Sequence, residues 1–353
     1  MTETKVLLPG EETYTLASSL LRSGDLVAFP TETVYGLGAN ALNADAVRNI
    51  FRVKGRPADN PLIVHIFDRD QLEPLCSSFP LADILMDAFW PGPLTMLFSK
   101  KETVPSVVTA GLPTVAVRMP SHPVAYEMLK TSMVPVAAPS ANRSGRPSPT
   151  CAAHVLEDMN GLIPLIIDGG RCDVGLESTV LDLSGSSPRI LRPGGITQEM
   201  IEKVLGTRIS VAPSVLRPLQ PGEKALSPGM LYRHYSPSGT VTLVTGAEEN
   251  VLRLMRKLYS HDTESGRKTC VLCFEEHVSE LEGCSPHSIG PVAEADTIAR
   301  NLFNILRGLD SEGMESIYSE VLPPEGIGLA IMNRLGRAAA FRTIDADIIS
   351  LPY

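Results

Sequence analysis

Two cations separated by one glycine, Lys54 and Arg56, stand just ahead of the apolar run Leu62–His65, and their types and spacing suggest chemistry. They are ill spaced for a helical ion pair, whose partners sit three or four residues apart. In an extended segment, positions i and i+2 point to the same side. The spacing therefore predicts two charges converging on one multivalent anion, such as a triphosphate. A second candidate is Ser140 with Asn142, which follow the apolar run Pro135–Ala138. A strand end opening into small polar side chains and bare backbone N–H groups suits a phosphate. No Gly-Lys-Ser/Thr occurs anywhere, so a Walker A loop is excluded. By residue type alone, the cations read equally as a solvated pair on a turn, and Ser140 and Asn142 as turn formers.

Apolar periodicity supplies the scaffold for these residues. A helical pattern runs from Thr13 to Ser23 (Leu16, Ala17, Leu20, Leu21) and stops at Gly24. Next come a strand over Leu26–Phe29, a hydroxyl-rich turn from Pro30 to Gly38, a helical stretch with Val47, Ile50 and Phe51, and a strand over Leu62–His65. Helical patterns follow at 70–76 and 81–89, strands at 94–98 and 115–118, a helix from Pro123 to Met133 and a buried strand at 135–138. Thr150 is placed to cap a helix through Ala152, Ala153, Val155 and Leu156. Strands at 165–168, 178–183 and 190–191 and a helix at 198–205 complete a pattern that favours a mixed-sheet α/β layer. Residues 212–239 are proline-rich, lack apolar periodicity and read as a linker. Beyond them, strands at 241–244, 270–274 and near 317 alternate with helices at 248–259, 292–309 and 326–340. That is the pattern of a smaller doubly wound, Rossmann-like domain, although no GxGxxG is present. The boundaries read as 1–209, a linker over 210–239, and 240–353.

The net charge of −9, with both halves acidic, counts against a protein built chiefly to grip a nucleic-acid backbone. Hydrophobic residues at 43% and charged residues at 20% predict a real core and exclude wholesale disorder. There is no eighteen-residue apolar run to span a membrane, and Met1–Lys5 does not open a secretory signal, so the expected location is the cytoplasm. The six cysteines (Cys76, Cys151, Cys172, Cys270, Cys273, Cys284) are expected as reduced thiols. Cys270 and Cys273 have CxxC spacing but lie in an apolar run and read as a buried strand. No Ser/His/Asp or Cys/His constellation offers a covalent nucleophile, and no side chain stands out as a general base.

Together, Lys54-x-Arg56 and Ser140-x-Asn142 resemble the signature of the YrdC-like family. So do Thr31-Glu32-Thr33-Val34-Tyr35-Gly36-Leu37, Asn60-Pro61-Leu62, Asp168-Gly169-Gly170, Gly175-Leu176-Glu177-Ser178-Thr179-Val180 and Leu191-Arg192-Pro193-Gly194. With Ser227–Pro237 and the appended α/β domain, the whole chain is similar to the family's long two-domain branch. The resemblance implies a YrdC-like twisted mixed sheet with flanking helices, followed by the smaller doubly wound domain. It also implies synthesis of L-threonylcarbamoyladenylate from L-threonine, bicarbonate and ATP with release of pyrophosphate. The product would serve formation of N6-threonylcarbamoyladenosine beside the tRNA anticodon. Attack on an α-phosphorus calls for charge neutralisation and positioning, which cations and a metal supply.

The resemblance assigns Lys54, Arg56, Ser140 and Asn142 to catalysis on the phosphates. It assigns Arg56, Asn60, Thr114, Ser140, Ser148, Arg192 and Tyr232 to ATP. Thr33, His65, Arg118, Ala138 and Ser178 fall to threonine, with Arg118 forming a bidentate pair with its carboxylate. Mg²⁺ is expected to arrive on the nucleotide phosphates, with no protein ligands of its own. The product is expected to pass to the tRNA threonylcarbamoyl-transferase machinery, with no membrane partner and weak or absent direct tRNA binding.

By residue type alone, other readings stay open. His65 ends an apolar strand as a core histidine would, and Arg118 could pair with a structural carboxylate. Arg192 reads as a rim residue, Ser178 and Thr114 as strand positions, and Ser148 as a turn former. In the linker, Tyr232, His234 and Tyr235 are expected to form a lid over the first-domain site, with a passive tether as the alternative. A reading from a different class is an RNA-binding, translation-associated module using Lys54, Arg56, Arg143 and Arg146. The acidic balance and the lack of interleaved aromatics argue against it.

Overall fold

The computed structural model describes residues 3–77, 81–185, 187–218 and 235–348. Those up to 215, apart from 145–147, form one unit; residues 145–147, 216–218 and 235–348 form a second.

In chain order the first unit begins with β1 (Lys5–Leu7), α1 (Glu11–Ser23), β2 (Val27–Phe29), β3 (Gly36–Asn40), α2 (Ala44–Lys54) and β4 (Ile63–His65). It continues with β5 (Cys76–Ser77), α3 (Ala82–Phe89), β6 (Leu94–Lys100), α4 (Ser106–Thr109), β7 (Thr114–Arg118), α5 (Pro123–Ser132) and β8 (Val136–Ala137). The last elements are α6 (Ala152–Met159), β9 (Leu165–Ile167), β10 (Thr179–Asp182), β11 (Arg189–Arg192), α7 (Gln198–Leu205) and β12 (Ser210–Val211). The strands join in the order β1-β9-β2-β3-β8-β4-β7-β6-β10-β11-β12, with β5 on the side of β6. The sheet is mixed: β4 runs parallel to β7 and antiparallel to β8, while β6 is antiparallel to β7 and parallel to β10.

Alternation along the strands sorts their side chains onto two covered faces. Val27 and Phe29 pack with Ala17 and Leu21 of α1 and with Val124, Ala125, Met128 and Leu129 of α5. Ala28, between them, faces the cluster built from α2, α3, α6 and α7. The helix α2 presents Val47, Ile50 and Phe51 to that core, each burial contributing about 1.5–3 kcal/mol. Asn43 caps its start by accepting from the N–H groups of Asp45 and Ala46.

Three local expectations are corrected. The turn from Pro30 ends early, because Gly36–Asn40 joins β2 and β8 as a strand; a Cβ on Gly38 would lie 2.7 Å from Val136 and 2.9 Å from Phe29. The 70–76 pattern is a short 3₁₀ turn at Arg69–Leu72 followed by β5, too brief to sustain an α-helix. Thr150 does not cap α6: Cys151 holds the cap position, and the Thr150 hydroxyl is buried without a partner among the described residues.

The second unit contains β13 (Thr240–Thr245), α8 (Glu248–Glu264), β14 (Thr269–Cys273), β15 (Pro286–Ser288), α9 (Ala295–Ser311), β16 (Ser316–Ser319), α10 (Ile327–Ala338) and β17 (Thr343–Asp345). All its ladders are parallel, in the order β15-β14-β16-β13-β17, which is the expected doubly wound domain. Cys270 and Cys273 are buried in β14 as free thiols whose acidity burial suppresses, as the apolar run implied. No helix among the described residues is long and apolar enough to cross a membrane.

Candidate active site

The site begins where α2 ends. Gly55 adopts the left-handed conformation (φ 62°) and caps the helix, its N–H donating to Arg52 and Phe51 carbonyls. This corrects the expectation that Lys54 and Arg56 share one extended segment. Lys54 is the last helical residue, and Arg56 lies beyond the glycine. Lys54 is nonetheless buried, and its Nζ donates to the carbonyl of Ser140 (2.6 Å) and to that of Asn142. The Ser140 hydroxyl donates to Asn142 Oδ1 (2.5 Å), and Asn142 Nδ2 donates to the Arg143 carbonyl (2.8 Å). The turn is anchored to β3 by a bridge between Gly36 and Ser140 and by the N–H of Ala141 on the Tyr35 carbonyl. Arg56 Nη2 reaches back to the carbonyls of Asn60 (3.3 Å) and Pro61 (3.2 Å). The Asn60 amide is 1% exposed, and neither its oxygen nor its nitrogen has a partner among the described residues. Buried amides are rarely left so, and a ligand would satisfy this one.

A second group lies at the C-terminal ends of β4 and β7, where His65 and Arg118 sit opposite each other in register. Arg118 is buried and held on three sides. Nη1 donates to the Thr33 hydroxyl (2.8 Å), Nε to the Gly92 carbonyl (3.2 Å), and Nη2 lies 2.6 Å from Glu32 Oε1. The Thr33 hydroxyl also meets that of Thr31 (2.8 Å). For Glu32, burial opposes ionisation most strongly, but the charge and hydrogen bonding of Arg118 outweigh it and hold the carboxyl below its ordinary range. Arg118 thus has the structural carboxylate partner left open by residue type. His65 is buried, edge-on to Phe29 at 6.1 Å. Burial first, and the neighbouring Arg118 charge second, push its pKa down to about 3, so it is neutral. Its Nδ1 has no partner among the described residues.

Ser178 stands just ahead of β10. Its hydroxyl lies 2.7 Å from that of Thr95 and accepts from Arg192 Nη2 (3.1 Å), while Arg192 Nε holds the Ser178 carbonyl (3.0 Å). Arg192 is 7% exposed, so it is no rim residue. Ser148 donates to Glu177 Oε1 (2.5 Å), one residue from Ser178. Gly194 permits this close packing: a Cβ there would lie 2.4 Å from the Thr179 nitrogen and 2.5 Å from the Glu177 carbonyl. Ala138 is buried under Gly36, its N–H on the Ile63 carbonyl.

Lys54, Ser140 and Asn142 therefore assemble as one group, and Arg56 with Asn60 follows directly in the chain from its lysine. Thr33, His65, Arg118, Ser178 and Arg192 are set around a second, and the strands β3, β4 and β8 connect the two. Thr114 opens β7, opposite Ser99 and about 13 Å along the strand from Arg118, at the Asn60 end of the parallel pair β4–β7. Tyr232 and His234 lie outside the described residues. Tyr235 is buried in the second unit, its ring 5.2 Å from that of Phe303. Sequence reasoning assigned nothing to Glu32, Thr95 or Glu177. Glu32 carried a usable signal, being a lone carboxylate between two threonines of a hydroxyl-rich turn.

Residues 19–194 match the Sua5, YciO and YrdC family described as "Telomere recombination", and residues 196–340 match "Threonylcarbamoyl-AMP synthase, C-terminal domain". A threonylcarbamoyl-AMP synthase of Pyrococcus abyssi is 48% identical over 330 residues, covering 93% of this chain and 94% of the relative. One of Bacillus subtilis is 47% identical, covering 93% of each. The crystal structure of P. abyssi Sua5 complexed with L-threonine superposes with a TM-score of 0.90 at 46% identity, over 98% of this chain and 99% of that one. A YrdC-like sheet carrying these two residue groups defines an enzyme of the nucleotidyltransferase type. The chain belongs to the threonylcarbamoyl-AMP synthase family, in its long two-domain form.

Proposed function

We propose that this protein condenses L-threonine, bicarbonate and ATP into L-threonylcarbamoyladenylate and pyrophosphate, and that the product feeds N6-threonylcarbamoyladenosine formation in tRNA. The observation that carries the reading is the Lys54 ammonium seated on the Ser140–Asn142 turn, on the same sheet as the buried Arg118, which bonds Thr33 and lies in register with His65. In this reading Lys54 and Arg56 offset the charge that builds on the leaving pyrophosphate, and the orphaned Asn60 amide bonds a phosphate or ribose oxygen. Ser140, Asn142, Ser148, Arg192, Thr114 and Tyr232 complete the nucleotide's surroundings. Arg118 receives the threonine carboxylate with support from Thr33, and His65 Nδ1 and Ser178 meet its hydroxyl or nitrogen. A neutral His65 orients the amino acid without adding charge.

Among the described residues no group of three His, Cys, Asp or Glu side chains is gathered to hold a metal. In this reading Mg²⁺ arrives on the nucleotide phosphates, where it would supply charge neutralisation. The segment with Tyr232, His234 and Tyr235 is assigned the role of a lid that keeps water from the mixed anhydride. The test is detection by mass of the threonylcarbamoyl adenylate, with pyrophosphate release measured while each substrate is omitted in turn. Pyrophosphate release that ignores threonine and bicarbonate sinks the assignment.

A further inference from the structure

Glu32 carries a charge opposite to Arg118, lies against it, and has capacity left over. Its Oε1 is engaged twice, by Arg118 Nη2 at 2.6 Å and by the Ser121 N–H at 3.2 Å. Its Oε2 is buried and accepts no hydrogen bond from any described residue. A carboxylate oxygen held ionised, out of water and unpaired, is costly unless something supplies a donor. Its other neighbours sharpen the point. The Thr33 hydroxyl already receives a hydrogen bond from Arg118, His65 is neutral, and burial pushes the nearby His122 toward its neutral form as well, so none of these brings a positive charge to Oε2.

We propose that Glu32 is a specificity-determining residue, making the pocket selective for a zwitterionic amino acid over a simple carboxylate. This rests on the reading that Arg118 receives the threonine carboxylate. A lone buried guanidinium attracts any carboxylate and would also attract bicarbonate, an anion this reaction must use elsewhere in the site. Pairing Arg118 with Glu32 cancels the charge of the empty pocket. A zwitterion enters with no net charge, its carboxylate on Arg118 and its ammonium toward Oε2. A monoanion without the ammonium brings an uncompensated charge and leaves Oε2 orphaned.

The experiment measures binding to the full chain by calorimetry, using L-threonine and 2,3-dihydroxybutanoate, in which a hydroxyl replaces the ammonium. The wild-type protein should prefer threonine by at least about tenfold, the discrimination expected from one charge-assisted hydrogen bond. In Glu32→Gln the preference should shrink to within about threefold, with the hydroxy acid binding more tightly than it does to wild type. Loss of both ligands in equal measure, with the ratio kept, assigns Glu32 a merely structural role and overturns the proposal. Should Glu32→Gln fail to fold, the wild-type ratio decides alone: near-equal affinities overturn the proposal and a tenfold preference supports it. Failure of the wild type to bind L-threonine is a different result, which sinks the functional reading itself.

Discussion

Removing Arg118 should destabilise the first unit far more than its loss of contacts suggests, because it strands Glu32. Both side chains are buried, at 3% and 8% exposure, and their closest atoms are 2.6 Å apart. Breaking a buried ion pair from one side costs about 3–5 kcal/mol, since the remaining charge keeps its desolvation penalty. That is a large share of the roughly 5–15 kcal/mol that holds a typical domain. Arg118→Met should therefore lower the unfolding free energy by that amount at pH 7.5, whereas the double variant Glu32→Gln/Arg118→Met should recover much of it. The readout is built in: Trp90, the only tryptophan, is buried in this unit two residues from the Gly92 carbonyl that Arg118 Nε holds.

The pH dependence carries its own sign. In wild type the folded Glu32 carboxyl lies below its unfolded value, so its contribution is present above the unfolded carboxyl range and is lost as pH falls through the folded pKa. Without Arg118, burial should raise the folded pKa above the unfolded one, so the variant's penalty is full at neutral pH and fades as the solution is acidified. The gap between wild type and Arg118→Met should thus narrow from pH 7.5 to pH 4.5. A gap under about 1 kcal/mol at pH 7.5, one that is flat with pH, or strictly additive single effects would refute the reasoning.

Three further outcomes follow from the same coordinates. Lys54→Met removes the donor shared by the Ser140 and Asn142 carbonyls; it should cost about 1.5–3 kcal/mol and slow pyrophosphate release about a hundredfold or more, and full turnover would discount the cation's role. Gly194→Ala drives a methyl into the 177–179 backbone; it should cost about 1–3 kcal/mol in Trp90-monitored unfolding and weaken threonine binding through Ser178, and a wild-type melting curve would count against that packing. With His65 at about 3 when folded and about 6.5 when unfolded, folding binds fewer protons; wild type should lose up to about 1.4 kcal/mol per pH unit from this group as pH falls between those values, a slope that His65→Gln should flatten in denaturant titrations at stepped pH.

Much of the fold was legible from local signals. The helix stop at Gly24, the apolar stripe Val47, Ile50 and Phe51, and the strand before His65 all appear where periodicity puts them, because each reflects a residue's own face of burial. The alternating second half likewise gave a doubly wound domain. The strand Gly36–Asn40 was not legible, since its glycine-rich composition lacks β propensity and it is strand-like only through pairing with β2 and β8. The 3₁₀ turn at Arg69–Leu72 escaped for the opposite reason: an apolar pattern too short to separate one helical turn from several.

By itself the sequence determined which side chains are available for chemistry, since side-chain type is local: two cations, a Ser-x-Asn turn, an arginine and a histidine on strands. Only the tertiary structure decided what each one touches. It set Lys54 on two carbonyls rather than alongside Arg56, placed His65 opposite Arg118, and gave Arg118 a carboxylate partner in Glu32. Those pairings depend on strand order and register, which join segments far apart in the chain, and on burial, which decides whether a charge is solvated, paired or suppressed.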